Sequence, residues 1–333
     1  MWGLIAPTGS NMKDFMRKVL IIALTALVLV GCNDTKPIEE SRKIGFASQM
    51  PRSLIENVSD LQKQELKLYA SYTLDGRSAR VFDAERLYYN RQIPGWDYAV
   101  PQYWMMGASY NFYAICPYEV NCSFSEAQNA VTVIDYESST DGADLLYATT
   151  TRDNTEDDDF STVMLGFHHA CAAVEFNIVN ASNSTLIDVR NVRLVGLYNK
   201  GNLRISADGS VAWTLASQTV QSNAAIQPFA GTCVLPEGGL PVNLTVEHPL
   251  YENGAIVVLP QSIYKSTATL HLEYKKTGDS EYAVRDIQLG MLGGVTPTEW
   301  KAGSRYKYNL NITDNTITTE VRVVDWIDNY VDL

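Results

Sequence analysis

The sequence predicts an all-β fold of the sandwich type. Short runs rich in Val, Ile, Thr, Tyr and Phe recur along the chain and are separated by clusters of Gly, Asn, Asp and Pro. Many short runs at such spacing are typical of β-sandwiches. No alternation of strand and helix patterns is present, which argues against a doubly wound nucleotide-binding fold. The 333 residues are enough for two ordinary domains.

The first 31 residues are interpreted as a lipoprotein signal peptide. A short basic segment, Met12–Lys18, precedes the apolar run Val19–Val30, which is too short to span a bilayer permanently. The following "LVGC" resembles the bacterial lipobox, which implies cleavage between Gly31 and Cys32 and a lipid on Cys32. The alternative is an ordinary signal peptide in which the cysteine is incidental. We interpret residues 1–11 as a mis-assigned start or as added sequence, because Met12 is the better start.

The charge of the chain argues against nucleic acid as a partner. Residues 1–31 carry a net +2, from Lys13, Arg17 and Lys18 against Asp14, so the net charge of −12 becomes −14 without them. Such a chain does not favour nucleic acid or an anionic membrane surface. It is consistent with a soluble body held at the outer membrane by acyl chains. Residues 33–42 are polar, show no apolar period and are expected to form a tether.

Four cysteines follow the lipobox: Cys116, Cys122, Cys171 and Cys233. In an exported protein they could form two disulfides, and Cys116 and Cys122 are the only pair that is close in sequence. A chain of this length does not need disulfides to fold, and the spacing of these cysteines is not that of metal ligands. The disulfide state stays open at this point.

The strand-like runs follow one another from the middle of the chain to its end. They are "VTVIDY", "STVMLGF", "VRNVRLVGL", "GTCVL", "PVNLTV", "GAIVVL", "TATLHLEY", "AVRDIQL", "RYKYNLNI" and "TITTEVRVV". Residues 53–70 show a weak helical period. Residues 137–160 are predicted to form the longest loop, and the polar residues 180–188 are the best candidate for a domain boundary.

The stretch "GFHHACAAVEF", Gly166–Phe176, combines residue types that bind metals. As a continuous strand it would place His168 at the start of a core stripe and His169, Cys171 and Glu175 together on the opposite face. Neighbours on one face lie about 6.6 Å apart, which is wide for two ligands of one zinc ion. We therefore expect a packed strand and no metal site.

No other segment carries a catalytic constellation. The acidic loop Arg152–Phe160 fails as an EF-hand, because Asp158 and Met164 occupy the positions that need glycine and a bidentate glutamate. The chain contains no G-x-S-x-G motif and no placeable pair of catalytic acids. The aromatic segment Tyr103–Glu119 suits either a sugar-binding surface or a core, and the alternation of Tyr110, Phe112 and Ala114 favours a core. We expect no enzymatic activity and no cofactor.

Several spaced motifs resemble the fimbrillin family of Bacteroidales, the type V pilus subunits and related lipoproteins. In chain order they are "IGFASQMPR" (44–52), "YW" (103–104), "YNFYAICP" (110–117), "LLYATT" (145–150), "FHHACAAVEF" (167–176), "GNLRI" with "GSVAW" (201–213), "VVLPQ" (257–261), "WKAGSRYKYNLNI" (300–312) and "VVDW" (323–326). The end departs from the family pattern, because "IDNYVDL" follows Trp326 where a glycine-containing turn is expected.

This resemblance implies two transthyretin-like β-sandwich domains in tandem, 43–182 and 183–333. It also implies a protease that cuts between Arg52 and Ser53 and so releases the strand 43–51. The alternative is that Arg52 is an ordinary loop residue. The strand of a neighbouring subunit would then fill the groove by β-strand addition. The matching donor is the C-terminal segment in which Ile317, Thr319, Val321 and Val323 share a face.

Three functions compete at the level of sequence. The favoured one is a structural subunit, stalk or tip, of an adhesive pilus, with other pilin subunits, a processing protease and a host or bacterial surface ligand as partners. The second is a surface-anchored glycan-binding lipoprotein, which needs an exposed aromatic platform. The third is a hydrolase, for which the sequence offers no nucleophile or acid pair.

Overall fold

The computed structural model describes residues 42–49, 61–138, 144–155, 159–182, 187–216, 226–235, 241–243, 255–264, 267–291, 297–313 and 316–325. Strands make up nearly all of the regular structure in these ranges, which also contain short 3₁₀ turns such as Glu126–Gln128 and Leu289–Met291. The predicted all-β class is therefore confirmed. In the described part of the chain, no helix is both long enough and apolar enough to cross a membrane.

The strands are numbered in chain order. They are β1 (Phe46–Gln49), β2 (Leu66–Leu74), β3 (Arg77–Asn90), β4 (Gly95–Asp97), β5 (Ser109–Cys116), β6 (Cys122–Ser125), β7 (Ala130–Glu137), β8 (Leu146–Asp153), β9 (Val163–His169), β10 (Ala172–Asn180), β11 (Ile187–Val195), β12 (Lys200–Ser206), β13 (Val211–Leu215), β14 (Ile226–Leu235), β15 (Pro241–Asn243), β16 (Ile256–Val258), β17 (Gln261–Ser262), β18 (Thr269–Lys276), β19 (Ala283–Gln288), β20 (Glu299–Trp300), β21 (Ser304–Ile312) and β22 (Ile317–Asp325).

The N-terminal half of the described chain is built around a closed barrel. Its strands follow the order β1, β4, β3, β2, β5, β8 and β9, and β9 returns to β1. Alternate side chains of these strands point inward and form one core, which includes Leu68, Phe82, Phe112 and Leu165. Closure leaves the barrel without a free edge.

The C-terminal half is built around two further sheets. One has the order β15, β10, β21 and β22, with β16 also paired to β10, and the other has the order β14, β11, β18 and β19. Val174 and Tyr308 of the first sheet share a core with Val189 and Leu272 of the second. β22 is an edge strand of its sheet, and β21 pairs with it along nine antiparallel register positions.

Another sheet contains strands from both halves of the described chain. It has the order β13, β12, β7 and β6, so strands from both sides of the predicted domain boundary pair directly. Its inward residues, such as Val133 and Leu203, share a core with Tyr113 of the barrel and Val257 of the C-terminal half. Residues 44–333 form one compact unit. The division into domains 43–182 and 183–333 stays a prediction.

One predicted element is wrong, and another is wrong over its C-terminal part. The weak helical period of residues 53–70 ends before β2, which begins at Leu66 and whose Leu68 and Ala70 are fully buried and pair with both β3 and β5. Residues 53–60 lie outside the described part. The long loop predicted over residues 137–160 contains β8, which lies between β5 and β9 in the barrel. Polar and acidic residues flank β8 on both sides, so the composition of this segment resembles that of a loop. Its short apolar face consists of Leu146 and Ala148.

Candidate assembly site

β1 is a short strand that closes the barrel between β4 and β9. It pairs with β9 in parallel, from Phe46 opposite Val163 to Gln49 opposite Gly166, and with β4 in the antiparallel sense through Phe46 and Trp96. These few residues therefore hold both neighbouring strands together. They are also the described residues nearest in sequence to Arg52.

The side chains of this segment alternate as the sequence predicts. Ile44 and Phe46 are buried in the barrel core, whereas Gly45 and Ala47 are half-exposed on the opposite face. The Phe46 ring lies edge-to-face against three other rings, with centroids 5.7 Å from Phe82, 5.9 Å from Tyr98 and 5.7 Å from Phe112. Burial of a side chain of this size stabilises the fold by roughly 1.5–3 kcal/mol.

The main chain at Ile44 is held by the segment that follows β4. The Ile44 N–H donates to the Gln102 carbonyl over 2.9 Å, and the Tyr98 hydroxyl donates to the Ile44 carbonyl over 2.7 Å. The Gln102 N–H in turn donates to the Tyr98 hydroxyl oxygen over 3.3 Å. Burial raises the pKa of Tyr98 to about 12, so the hydroxyl keeps its proton and stays a donor at neutral pH. One residue later, Val163 N–H donates to the Gly45 carbonyl.

Removal of β1 would open the barrel into a sheet with two facing edges. The N–H and C=O groups of β4 and β9 would lose their partners, and the space left by Ile44 and Phe46 would expose an apolar, largely aromatic surface. Unpaired strand edges beside apolar surface are a ready template for another strand. This arrangement can therefore bind an extended peptide segment.

The predicted donor residues lie on β22 in this structure. Ile317 and Val321 pack against the C-terminal core, Thr319 is half-buried, and Val323 is 48% exposed. The shared face is thus confirmed for the first three residues. The role of these residues as a donor stays a prediction.

The other predicted site residues cannot be placed. Gly31 and Cys32 of the signal cleavage and lipidation site, and Arg52 and Ser53 of the processing site, lie outside the described residues. Their roles also stay predictions.

The stretch Gly166–Phe176 is not one strand. β9 ends at His169, the chain bends at Ala170 and Cys171, and β10 begins at Ala172 in a different sheet. The prediction that His168 starts a core stripe is therefore wrong, because His168 is exposed and its ring contacts Tyr147. The bend breaks the period-two alternation on which that prediction relies.

Three other sequence motifs hold this bend. Ala170 N–H donates to the Leu145 carbonyl over 2.8 Å, the Trp213 indole N–H donates to the Ala170 carbonyl over 2.8 Å, and Gly303 N–H donates to the Cys171 carbonyl over 2.8 Å. Gly303 has a φ of 69°, a conformation that glycine adopts without strain. Hydrogen bonds to the bend thus come from the "LLYATT", "GSVAW" and "WKAGS" segments.

The reactive residue types near the bend have structural partners. His169 is buried and its Nδ1 bonds to the carboxylate of Asp144. Burial raises the pKa of Cys171 well above its usual value, and burial raises the pKa of Cys116 to about 12. A thiol that keeps its proton is a poor nucleophile and a poor metal ligand.

Cys116, Cys122 and Cys171 are free thiols, while the Cys233 side chain lies outside the described part. Where the chain is described, groups of three His, Cys, Asp or Glu able to hold a metal ion are absent.

Glu175 belongs to a buried ion pair that the sequence does not reveal. Arg305 of the parallel neighbour β21 donates from Nε over 2.9 Å and from a terminal nitrogen over 2.6 Å to the same carboxylate oxygen. Lys307 Nζ lies 3.2 Å from the other carboxylate oxygen. The Glu175 and Arg305 side chains are 4% and 5% exposed, respectively. The geometry supports a structural role in joining β10 and β21.

The aromatic segment Tyr103–Glu119 is mostly core. Tyr110, Phe112 and Ala114 are buried in the barrel, as predicted, while Tyr103 is 46% exposed. A glycan platform needs several exposed rings side by side. This segment does not present one.

Sequence reasoning missed the residues that hold β1 by its main chain. Tyr98 lies in "WDYAV" and Gln102 in "VPQYW", where neither residue stands out by period or spacing. A buried tyrosine usually finds a partner for its hydroxyl, but the sequence does not say which one. The pairing becomes visible only when the 98–102 segment is folded beside Ile44.

Comparisons with known proteins identify the family and the fold. The fimbrillin-like family profile matches residues 59–326. A fimbrial protein from Bacteroides vulgatus has a similar structure, with a TM-score of 0.60, 17% identity, and coverage of 86% of this chain and 99% of its own. A candidate cell adhesion protein from Bacteroides uniformis matches with a TM-score of 0.49, 16% identity, and coverage of 85% and 98%. Among curated proteins, no relative matches the chain.

The family profile covers most of the chain, and it includes the barrel strands β2–β9 and the C-terminal sheets. The similarity to the Bacteroides vulgatus protein supports the same fold over nearly all of that protein. The chain belongs to the fimbrillin-like family.

Proposed function

We propose that this protein is a structural subunit, stalk or tip, of an adhesive type V pilus, assembled when proteolysis releases β1 and a neighbour's strand replaces it. One observation carries the proposal: in a chain of the fimbrillin-like family, β1 is a short strand that fills the opening between β4 and β9 of the barrel. Its partners are then other pilin subunits, a processing protease and a surface ligand. The function is structural and not enzymatic.

The strand that fills this opening hydrogen-bonds on both sides, to β4 and to β9. The proposed donor, Ile317–Val323 of the neighbour, pairs with its own β21 on one side. It must therefore leave β21 before it enters the opening. Loss of that pairing in one chain is offset by pairing and apolar burial in the next.

The direct test is treatment of the purified precursor with an arginine-specific protease. We expect a single cut after Arg52, a species that begins at Ser53, and polymers that form only from that species. N-terminal sequencing and electron microscopy measure the two steps. Polymers formed by the uncut precursor, or a cut chain that stays monomeric at high concentration, would contradict the proposal.

Val321→Asp is expected to allow trimming but to prevent polymer formation. Val321 is half-buried and faces apolar surface, so a carboxylate there must lose its hydration in an apolar groove. Thr318→Asp is the matched control, because it places the same charge on the exposed face of β22. Polymer yield is measured by light scattering after trimming, and circular dichroism checks that both variants are folded. Equal yields from the two variants would remove β22 as the donor.

We also propose that the protein is anchored at the outer membrane by lipid on Cys32 before assembly. Cys32→Ala is expected to abolish acyl labelling and to leave the signal peptide attached, because lipid transfer and cleavage use this residue. Cys122→Ala, which changes a half-buried thiol of β6, is the control and should label normally. Labelling with a clickable fatty acid and mass spectrometry of the N-terminus provide the readout. Equal label on Cys32→Ala would disprove the anchor.

The finer fold proposal is two tandem transthyretin-like domains, 43–182 and 183–333. The barrel core consists of residues between 44 and 167, and the C-terminal core consists of residues between 172 and 312. These two cores support two folding units, and the core that contains Val133, Leu203 and Val257 is shared between them. The pairing of β12 with β7 implies that these units are coupled.

A further inference from the structure

We propose that Tyr98 and Gln102 form a bracket that holds the main chain of whichever strand fills the opening between β4 and β9. We also propose that a box of three rings selects a large apolar side chain two residues after the one held by the bracket. The bracket is the pair of hydrogen bonds at Ile44, and the box is Phe82, Tyr98 and Phe112 around Phe46. The part that concerns an incoming strand rests on the proposed pilus function.

The bracket recognises main-chain atoms only. It donates to the Ile44 carbonyl and accepts from the Ile44 N–H, and every residue except proline presents both groups. It also lies outside the strand ladder, because Ile44 precedes β1 and Gln102 follows β4. A strand of any sequence can therefore use it. This contact sets the position of the strand along the opening.

The box recognises a side chain. Phe82 and Tyr98 are themselves edge-to-face, with centroids 5.1 Å apart, so their rings support one another when Phe46 occupies the space between them. All four rings are at most 3% exposed. Because interiors are closely packed, a smaller side chain would leave a void that the neighbouring rings can only partly fill.

These two contacts define the partner by its chemistry. It is an extended segment with an apolar residue at the position of Ile44, whose side chain is fully buried, and an aromatic or equally large apolar residue two positions later. The proposed donor face of this chain offers Ile, Thr and Val. A second copy would therefore fill the box less completely than a subunit whose strand carries a large side chain there.

The bracket is tested in the intact chain by hydrogen exchange of the peptide that covers residues 43–50. Tyr98→Phe keeps the ring but leaves the Ile44 carbonyl without this donor, and exchange should become about tenfold faster. Tyr110→Phe is the matched control. Its ring is also buried in the barrel core, and its hydroxyl accepts from the Met105 N–H over 2.6 Å. Unchanged exchange in Tyr98→Phe, or equal acceleration in both variants, would overturn the bracket.

The box is tested with the protease-trimmed chain and synthetic peptides of residues 43–50. The peptide with Phe at position 46 should bind at least about tenfold more tightly than the Phe46→Val peptide, as measured by fluorescence anisotropy. Equal binding would overturn the selection by the box. Binding of neither peptide would overturn both that selection and the proposed strand replacement. The bracket is tested separately by hydrogen exchange in the intact chain, whatever the result with the peptides.

Discussion

Arg52→Ala is expected to yield a folded, monomeric precursor that an arginine-specific protease cannot convert into polymer. With the cut prevented, β1 stays covalently joined to the rest of the chain and keeps its place between β4 and β9. Its effective concentration at the opening is then far above that of any neighbour's strand. Polymer yield should fall to the level seen without protease, as measured by sedimentation and electron microscopy.

Arg42→Ala is the matched control for this prediction. Arg42 lies on the other side of β1, and a cut there would leave the strand attached to the body of the protein. Arg42→Ala should therefore assemble like the parent. If Arg52→Ala assembles equally well, cleavage at Arg52 is not the trigger and the arginine is an ordinary loop residue.

Glu175→Ala is expected to lower the free energy of unfolding by about 3–5 kcal/mol, because it removes the carboxylate that the buried Arg305 guanidinium faces. Both side chains are at most 5% exposed, so water can compensate little for the loss. Chemical denaturation monitored by fluorescence gives the change. Glu299→Ala is the control, since its partner Lys301 is 67% exposed and exposed ion pairs contribute little.

A double variant separates the cost of removing one charge of the pair from the contribution of the pair itself. Glu175→Leu combined with Arg305→Met replaces both groups by apolar side chains of similar size. It should recover most of the stability lost in Glu175→Ala, since such replacements are often neutral or stabilising. A single variant as stable as the parent would show that the pair is not a structural link between β10 and β21.

Local patterns predicted much of the fold and part of the site. The alternation of Ile44 with Phe46 placed both side chains correctly in the barrel, because the side-chain period of a strand needs no knowledge of its neighbours. The same rule failed at Gly166–Phe176, where the chain changes sheets at Ala170 and Cys171. It also missed β8, whose polar flanks resemble a loop.

The sequence by itself determined the all-β class, the family motifs and the inward face of β1, because each depends on residues close together in the chain. Only the tertiary structure decided that Tyr98 holds Ile44, 54 positions away, and that Arg305 neutralises Glu175, 130 positions away. These pairs leave no periodic or compositional signal. Their partners are chosen by strand order and register, which follow from the packing of the whole chain and not from any one segment.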